Sequence, residues 1–452
     1  MAASEPVAPA FAQVEPMPSA HPAAPPMRAW IVLGVLCFVY VLNFLDRQLL
    51  SILAKPIQDS LHLKDTQLGL IGGLYFALFY CLISIPVGWL ADRTNRVKVL
   101  ALACAIWSAA TMGCGLSATY SQLVAARMAV GVGEAGGVPP SYAIISDYFP
   151  PGRRGVALGL FNLGPPIGQA LGIAFGASIA ASFSWRYAFV AIGLVGVFAA
   201  LAVVFLVPEP RQGGLDRIAT EPAPERPPER TKAPFWPTVQ MFFSRPALVL
   251  AALASGATQI VTYGSMNFTS LLLMREKAMT LNQLAIWFAL LVGICMTGGI
   301  FLSGRAIDRF TRRSKVAYAL LPAGGLAIAI PFFIGFVQAP TWPAALAFLV
   351  VPTFFNYFYL TSVVALVQQE VAPQQRVLSG ALLLLVMNLV GLGLGPTFVG
   401  AASDFFKASH PHHSLQFAFY ALLPFYGLAL FLFLWLAQVL RKESLSTGAS
   451  HA

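Results

Sequence analysis

Charge is scarce in this sequence: 10% of its 452 residues are Asp, Glu, Lys or Arg, against 58% that are hydrophobic. A soluble globular protein carries about 25% charged residues, so the two or three soluble domains that this length would otherwise suggest are not expected. Cysteines are few, and Cys37, Cys81, Cys104, Cys114 and Cys295 all fall inside apolar segments. That odd, scattered set argues against a disulfide framework and against a metal cluster, and no metal site is expected. The His410-Pro-His412-His413 run reads as solvated loop histidines. No Gly-x-x-x-x-Gly-Lys-[Ser/Thr] stretch occurs, which argues against an ATP-driven pump. Gly131-Val-Gly133-Glu-Ala-Gly136 matches the dinucleotide fingerprint only as a string, since it lies inside an apolar run rather than between a strand and a helix. No cofactor is called for, and no clustered catalytic constellation is visible, so the chain does not read as an enzyme. The first 27 residues lack Lys, Arg and a compact apolar core, so they do not read as a secretory signal, and residues 1–28 are expected to form a disordered cytoplasmic tail.

The net charge of +10 raises the question of nucleic acid. Lys and Arg sit in short tracts between apolar runs, however, and no nucleic-acid partner is expected. Membrane topology accounts for them better.

What the chain does have is long apolar runs. Crossing a bilayer as a helix takes roughly 20 apolar residues, and twelve segments qualify: 29–53, 67–91, 97–117, 121–148, 154–181, 187–207, 247–274, 281–304, 315–338, 342–370, 377–403 and 415–440. Helices are expected because lipid offers no partner for unpaired backbone groups, and because these runs are far longer than barrel strands. With both termini cytoplasmic, 20 of the 28 Lys and Arg face the cytoplasm, 6 face outward, and Arg47 and Arg127 lie within spans. That bias fits the positive-inside rule. The organisation predicted is a six-helix bundle over 29–207, a Pro-, Glu- and Arg-rich cytoplasmic linker over 208–246, a second six-helix bundle over 247–440 and a cytoplasmic tail over 441–452. The expected location is a plasma membrane, or the inner membrane if the source is bacterial, and the short loops suggest a bacterial one.

An internal repeat supports the two halves. Gly88-Trp-Leu-Ala-Asp92-Arg93-Thr-Asn-Arg96 follows span two, and Gly304-Arg-Ala-Ile-Asp308-Arg309-Phe-Thr-Arg312 follows span eight, in register at an offset of 216. Gly164-Pro165-Pro-Ile-Gly168 in span five likewise resembles Gly395-Pro396-Thr-Phe-Val-Gly400 in span eleven. Parallel repeats of six spans are one recognised transporter build.

On these motifs the chain resembles the major facilitator superfamily from about residue 29 to 440. Its first loop matches that family's Gly-x-x-x-Asp-Arg-x-Gly-Arg pattern, with Asn95 in place of the last Gly. Arg127-Met-Ala-Val-Gly131 and the stretch Gly159–Gly172 resemble the family's fourth- and fifth-helix motifs. A narrower resemblance is to the Spinster lipid transporters, carried by Asn43-Phe-Leu-Asp46-Arg47, Gly131-Val-Gly-Glu134-Ala, Arg153-Arg154-Gly155 and Gly164-Pro165. The fold class expected is therefore an all-α membrane protein of twelve transmembrane helices in two pseudo-symmetric bundles.

A charge near the bilayer centre costs ~2.5–3.5 kcal/mol even on lenient scales, so intramembrane ionisable residues are functional candidates. Asp46, Arg47, Arg127 and Glu134 qualify. Counting from the span ends places Arg127 level with Asp46, and Glu134, two turns on, shares a face with Arg127. Asp46 is expected to pair with Arg127, while Arg47, about 100° round the helix, cannot serve the same partner equally. Loss of water favours the neutral form of a carboxylate and a nearby cation favours the charged form. Asp46, Glu134 and Arg127 are therefore candidates for proton coupling, a role that the Spinster resemblance also implies for the two acids. A static buried ion pair is the alternative.

The second half has no charge near mid-membrane. The candidate substrate cavity comprises Arg47, Asn43, Tyr263, Asn267, Asn356, Tyr357 and Asn388, among many Phe and Met. Charge on one wall and apolar surface on the other suit an amphipathic molecule, and the resemblance implies lysophospholipids or sphingoid lipids such as sphingosine 1-phosphate. The alternative is a transporter of drugs, organic anions or sugars. Gly88, Asp92, Arg93, Arg96, Arg154 and Asp308 are candidates for a cytoplasmic gate, in which Asp92 caps a helix or pairs with a base such as Arg154. Gly164, Pro165, Gly395 and Pro396 are candidate hinges, with close packing as the equal alternative. The partners expected are the cargo, protons and membrane lipids, and the chain is taken as a monomer.

Overall fold

A computed structural model describes residues 25–209 and 235–449, and all regular structure among them is helical. Eleven helices are long and apolar enough to cross a membrane: Met27–Ile52, Asp65–Ala91, Arg96–Leu116, Arg153–Ser182, Trp185–Leu206, Pro246–Glu276, Leu281–Thr311, Ala317–Gln338, Trp342–Glu370, Leu378–Phe406 and Ser414–Leu445. The remaining expected span, the fourth, is present as two pieces, Tyr120–Glu134 and Val138–Tyr148. Gly136 and Gly137 weaken the helix here, and Pro139 and Pro140 cannot donate the hydrogen bonds that would continue it. With that break the chain makes twelve crossings, in two groups of six.

Three further interruptions matter for the site. Span five divides at Asn162–Leu163, and the following helix opens on Gly164 and Pro165. Span eleven contains a π turn, Asn388–Gly393, with Gly395 and Pro396 in the next turn. Proline is tolerated in a first helical turn, where its missing N–H costs nothing. Each Gly-Pro pair thus restarts a helix. Span eight has a π turn at Leu284–Phe288.

Residues 1–24, 210–234 and 450–452 lie outside the described ones, and with them most of the expected N-terminal tail and Arg211, Arg217, Arg226, Arg230 and Lys232 of the linker. The described part of the linker holds a helix, Phe235–Ser244, and the final helix continues to Ala449.

Candidate functional site

Spans one and four bring the four intramembrane charges together. Asp46 Oδ2 lies 3.6 Å from Arg127 Nη1, and both residues are almost wholly buried. Arg47 Nε donates to Glu134 Oε2 at 2.5 Å, with the Glu134 side chain fully enclosed. The expected Asp46–Arg127 pair is present. Glu134, however, is taken by Arg47, which spacing alone had set apart. The partners on span four are two turns apart, ~10 Å along the axis, and the long Arg47 side chain bridges that rise while the short Asp46 carboxylate stays with Arg127.

The two pairs differ in tightness. The Arg47 guanidinium sits 5.0 Å from the Phe44 and Phe76 ring centres and 4.9 Å from that of Tyr80, an aromatic cage that suits a desolvated cation. Both Asp46 carboxylate oxygens, Arg127 Nε and Nη1, and Glu134 Oε1 lack hydrogen-bond partners despite burial. Buried polar atoms are nearly always satisfied, so this concentration sets the cluster apart from the rest of the interior.

One cavity adjoins the cluster, and a second meets the first at Met266. The first, about 440 Å³ including its mouth, is lined by Arg47, Gln48, Arg127, Gln169, Tyr263 and Asn267 among others. The second, about 480 Å³, is walled by Thr262, Ser265, Phe288, Phe333, Asn356 and Tyr357, and Met266 lines both. Both have mostly apolar walls; the first carries the charged Arg47 and Arg127, while the second has no charged residue and belongs wholly to the second half. Asn356 is committed elsewhere: it exchanges hydrogen bonds of 2.9 and 3.1 Å with Tyr426 of span twelve. Asn43 and Asn388 are not among the residues that line these two cavities. Asn43 is buried one turn before Asp46, and Asn388 opens the π turn of span eleven. Gln48, Gln169 and Ser265 line the cavities although the sequence reading passed over them. Their signal was an amide or hydroxyl within an apolar run.

At the Arg-rich end, Arg96 Nη1 meets Asp147 Oδ2 at 2.6 Å and Arg154 donates to Ser146 O at 2.7 Å. Arg93 is exposed and stacks on Trp89, 4.1 Å from its ring centre. Gly88 lies within the span-two helix, Asp308 is exposed with no ion pair among the described residues, and the Asp92 side chain lies outside them. Asn95, where the motif has Gly, caps span three by accepting from Lys98 N at 2.7 Å.

The Major Facilitator Superfamily profile matches residues 36–389, most of the chain. The chain belongs to that superfamily. This transporter is 30% identical to an MFS-type efflux pump of Mycolicibacterium smegmatis over 84% of this chain and 85% of that one. It is 26% identical to protein spinster homolog 3 of Danio rerio, over 92% and 86%. A crystal structure of a bacterial homolog of the human lysosomal transporter Spinster, described as inward-facing and unoccupied, superposes with a TM-score of 0.84 at 29% identity, covering 93% of this chain and 99% of that one. The protein is a multi-pass membrane transporter rather than an enzyme, and it resembles the Spinster group.

The transporter's other end carries a cluster that the sequence reading missed. Asp65, fully buried at the start of span two, accepts two hydrogen bonds of 2.8 Å from Arg275 of span seven and one of 2.7 Å from Ser403 of span eleven. Gln58 and Lys407 complete its shell at 2.6 and 3.0 Å. Asp404 of span eleven in turn accepts from the Asp65 and Thr66 amides, at 3.2 and 2.7 Å. Below this cluster the helices touch through backbone. A β-carbon on Gly69 would strike Pro396 O, and one on Gly73 would come within 2.7 Å of Gly393 O. The two halves are thus sealed here by charge and by close approach.

Proposed function

We propose that this protein is a proton-coupled secondary transporter of amphipathic lipids, of lysophospholipid or sphingoid type such as sphingosine 1-phosphate, working by alternating access with both termini in the cytoplasm. The observation that carries the reading is the paired cluster Asp46–Arg127 and Arg47–Glu134, whose two arginines line a cavity that meets a second, uncharged one. An acidic headgroup fits beside Arg47 and Arg127, and a hydrocarbon tail fits between Phe288 and Phe333 in the second half. Glu134 and an anionic headgroup compete for the same Arg47 guanidinium. A proton on Glu134 frees that guanidinium for cargo, so proton and cargo favour each other, and the linkage is reciprocal. A proton on Asp46 likewise loosens Arg127 and the hold of span one on span four.

The cross-half seal at Asp65 and Arg275 and the within-half pairs at the Arg-rich end support a resting state open to the cytoplasm, the state named for the similar Spinster homolog. One charge moving through 100 mV gains ~2.3 kcal/mol, enough to hold a gradient of about forty- to fiftyfold. The candidate gate residues Gly88, Asp92, Arg93, Arg96, Arg154 and Asp308 and the hinge pairs Gly164–Pro165 and Gly395–Pro396 belong to this cycle, with the chain acting as a monomer in a plasma or inner membrane.

The test is uptake of labelled lysolipid into reconstituted vesicles under an imposed pH gradient, for wild type beside Asp46→Asn and Glu134→Gln. Gradient-driven uptake in the wild type, lost by tenfold or more in both variants, is expected. Equal gradient-driven uptake in all three rejects the proton role. A second reading, drug efflux, is favoured by the similarity to the M. smegmatis efflux pump. Movement of a cationic dye under the same gradient, with no lysolipid uptake, would select it.

A further inference from the structure

The helix Phe235–Ser244, just before span seven, has no charged residue, yet it turns large aromatic surface outward. Trp236 is 74% exposed and Phe243 52%, and seven residues place them on one face, with Gln240 between them as its one polar member. Phe235 is 47% exposed beside them. The opposite face is anchored: Thr238 and Phe242 are buried where the helix packs on the start of span seven and the first helix of span eleven, Arg376–Met387. Arg245 has extended backbone and breaks the helix from Pro246, so the short helix is not an extension of span seven. Arg245 donates to Glu370 O at 2.5 Å, and Lys315 pairs with Glu370, so a charged layer lies at this level.

We infer that this helix is an interfacial anchor, seated with Trp236 and Phe243 among the headgroups and upper acyl chains of the inner leaflet. Two observations select a lipid surface as the occupant. The face lies level with the charged layer where apolar and ionic groups meet, and its aromatic composition is the one that membrane–water boundaries favour. The one charge at its end, Arg245, has the sign that attracts anionic lipid. Through its buried face the helix ties the inner ends of spans seven and eleven to the membrane plane. Those ends must shift when a major facilitator protein closes toward the cytoplasm. The inference rests on the membrane orientation proposed above and not on the cargo.

The full-length chain carrying Trp236→Cys, labelled with an environment-sensitive dye and reconstituted in phosphatidylcholine–phosphatidylglycerol vesicles, tests the anchor. Labelling of the wild type, whose cysteines lie inside spans, gives the background. Blue-shifted emission, quenched by lipids spin-labelled near the headgroup and insensitive to aqueous iodide, is expected, with the same behaviour for Phe243→Cys. Emission like that of free dye in water, quenched by iodide, overturns the proposal. So does blue-shifted emission that lipid spin labels leave untouched, because a second copy or the 210–234 segment then covers the face. The double variant Trp236→Ser/Phe243→Ser should remain monodisperse in detergent and, in vesicles, lose the protection from protease expected within residues 235–244 of the wild type. Unchanged protection in vesicles counts equally against the anchor.

Discussion

The two ends of this transporter use ion pairs differently. At one end Asp65 of the first half is held by Arg275, Ser403 and Lys407 of the second, and Asp404 of the second half accepts from the Asp65 and Thr66 amides of the first. At the Arg-rich end the ion pairs described stay within one half, Arg96 with Asp147 and Lys315 with Glu370. A contact between halves exists only in the state where they meet, and so it weights one conformation over the other. A contact within a half is present in both states and weights neither. The contacts described at the first end therefore weight this state, whereas those described at the second hold each half together, and a gate there would act through contacts made in the opposite state.

The largest expected effect comes from breaking the crossing contact. Asp65→Asn removes the charge that Arg275 and Lys407 share. Breaking a buried pair costs about 3 kcal/mol or more, and that cost falls on the closed state alone. A shift of about a hundredfold toward opening at this end follows. Spin labels at Lys64→Cys and His410→Cys, read by electron–electron resonance, should move to longer separations. The exchanged pair Asp65→Arg/Arg275→Asp sharpens the comparison, since partial return to the short distance would identify charge pairing as the cause, whereas no return would leave packing in control.

Packing has its own test, of intermediate size. Gly73→Ala adds a carbon that has no room beside Gly393 O. Overpacking costs about 1–3 kcal/mol; the part against Gly393 O and Thr397 is felt only while spans two and eleven touch, whereas the 2.8 Å approach to Gly69 O of span two persists in both states. The same labels should report an opening of about tenfold, with thermal stability of the detergent-purified protein lowered far less than for Asp65→Asn. An unaltered distance distribution would mean that the helices slide past the extra carbon and that the seal is ionic alone.

How much of this was readable beforehand follows from where each residue sits. Asp46 and Arg127 stood out because a charge deep in an apolar run is costly, and their pairing followed from counting turns. The Arg47–Glu134 bond did not, because turn counting tracks the backbone and a long side chain reaches past it. Asp65, Arg275, Asp404 and Lys407 were passed over for a different reason: at span ends charges are commonplace, and the Asp65 and Arg275 that meet are 210 residues apart. The break after Glu134 was written in Gly136, Gly137, Pro139 and Pro140, but the run was long enough to read as one crossing. The twelve crossings themselves were legible because hydrophobic length is a local property. Contacts between halves are not.

The smallest effect is the one that completes the comparison. Arg96→Gln removes a bond to Asp147 whose two side chains are 18% and 16% exposed. Water reaches both, so the pair is worth at most about 1 kcal/mol. Because both residues belong to the first half, that loss is the same in either conformation and cancels from the equilibrium. Thermal unfolding should shift by a few degrees at most, while the Lys64–His410 label distance stays where the wild type has it. A shift in that distance as large as the one from Asp65→Asn would place Arg96 in a contact between halves, in a state other than the one described, and would make both ends of the transporter part of one switch.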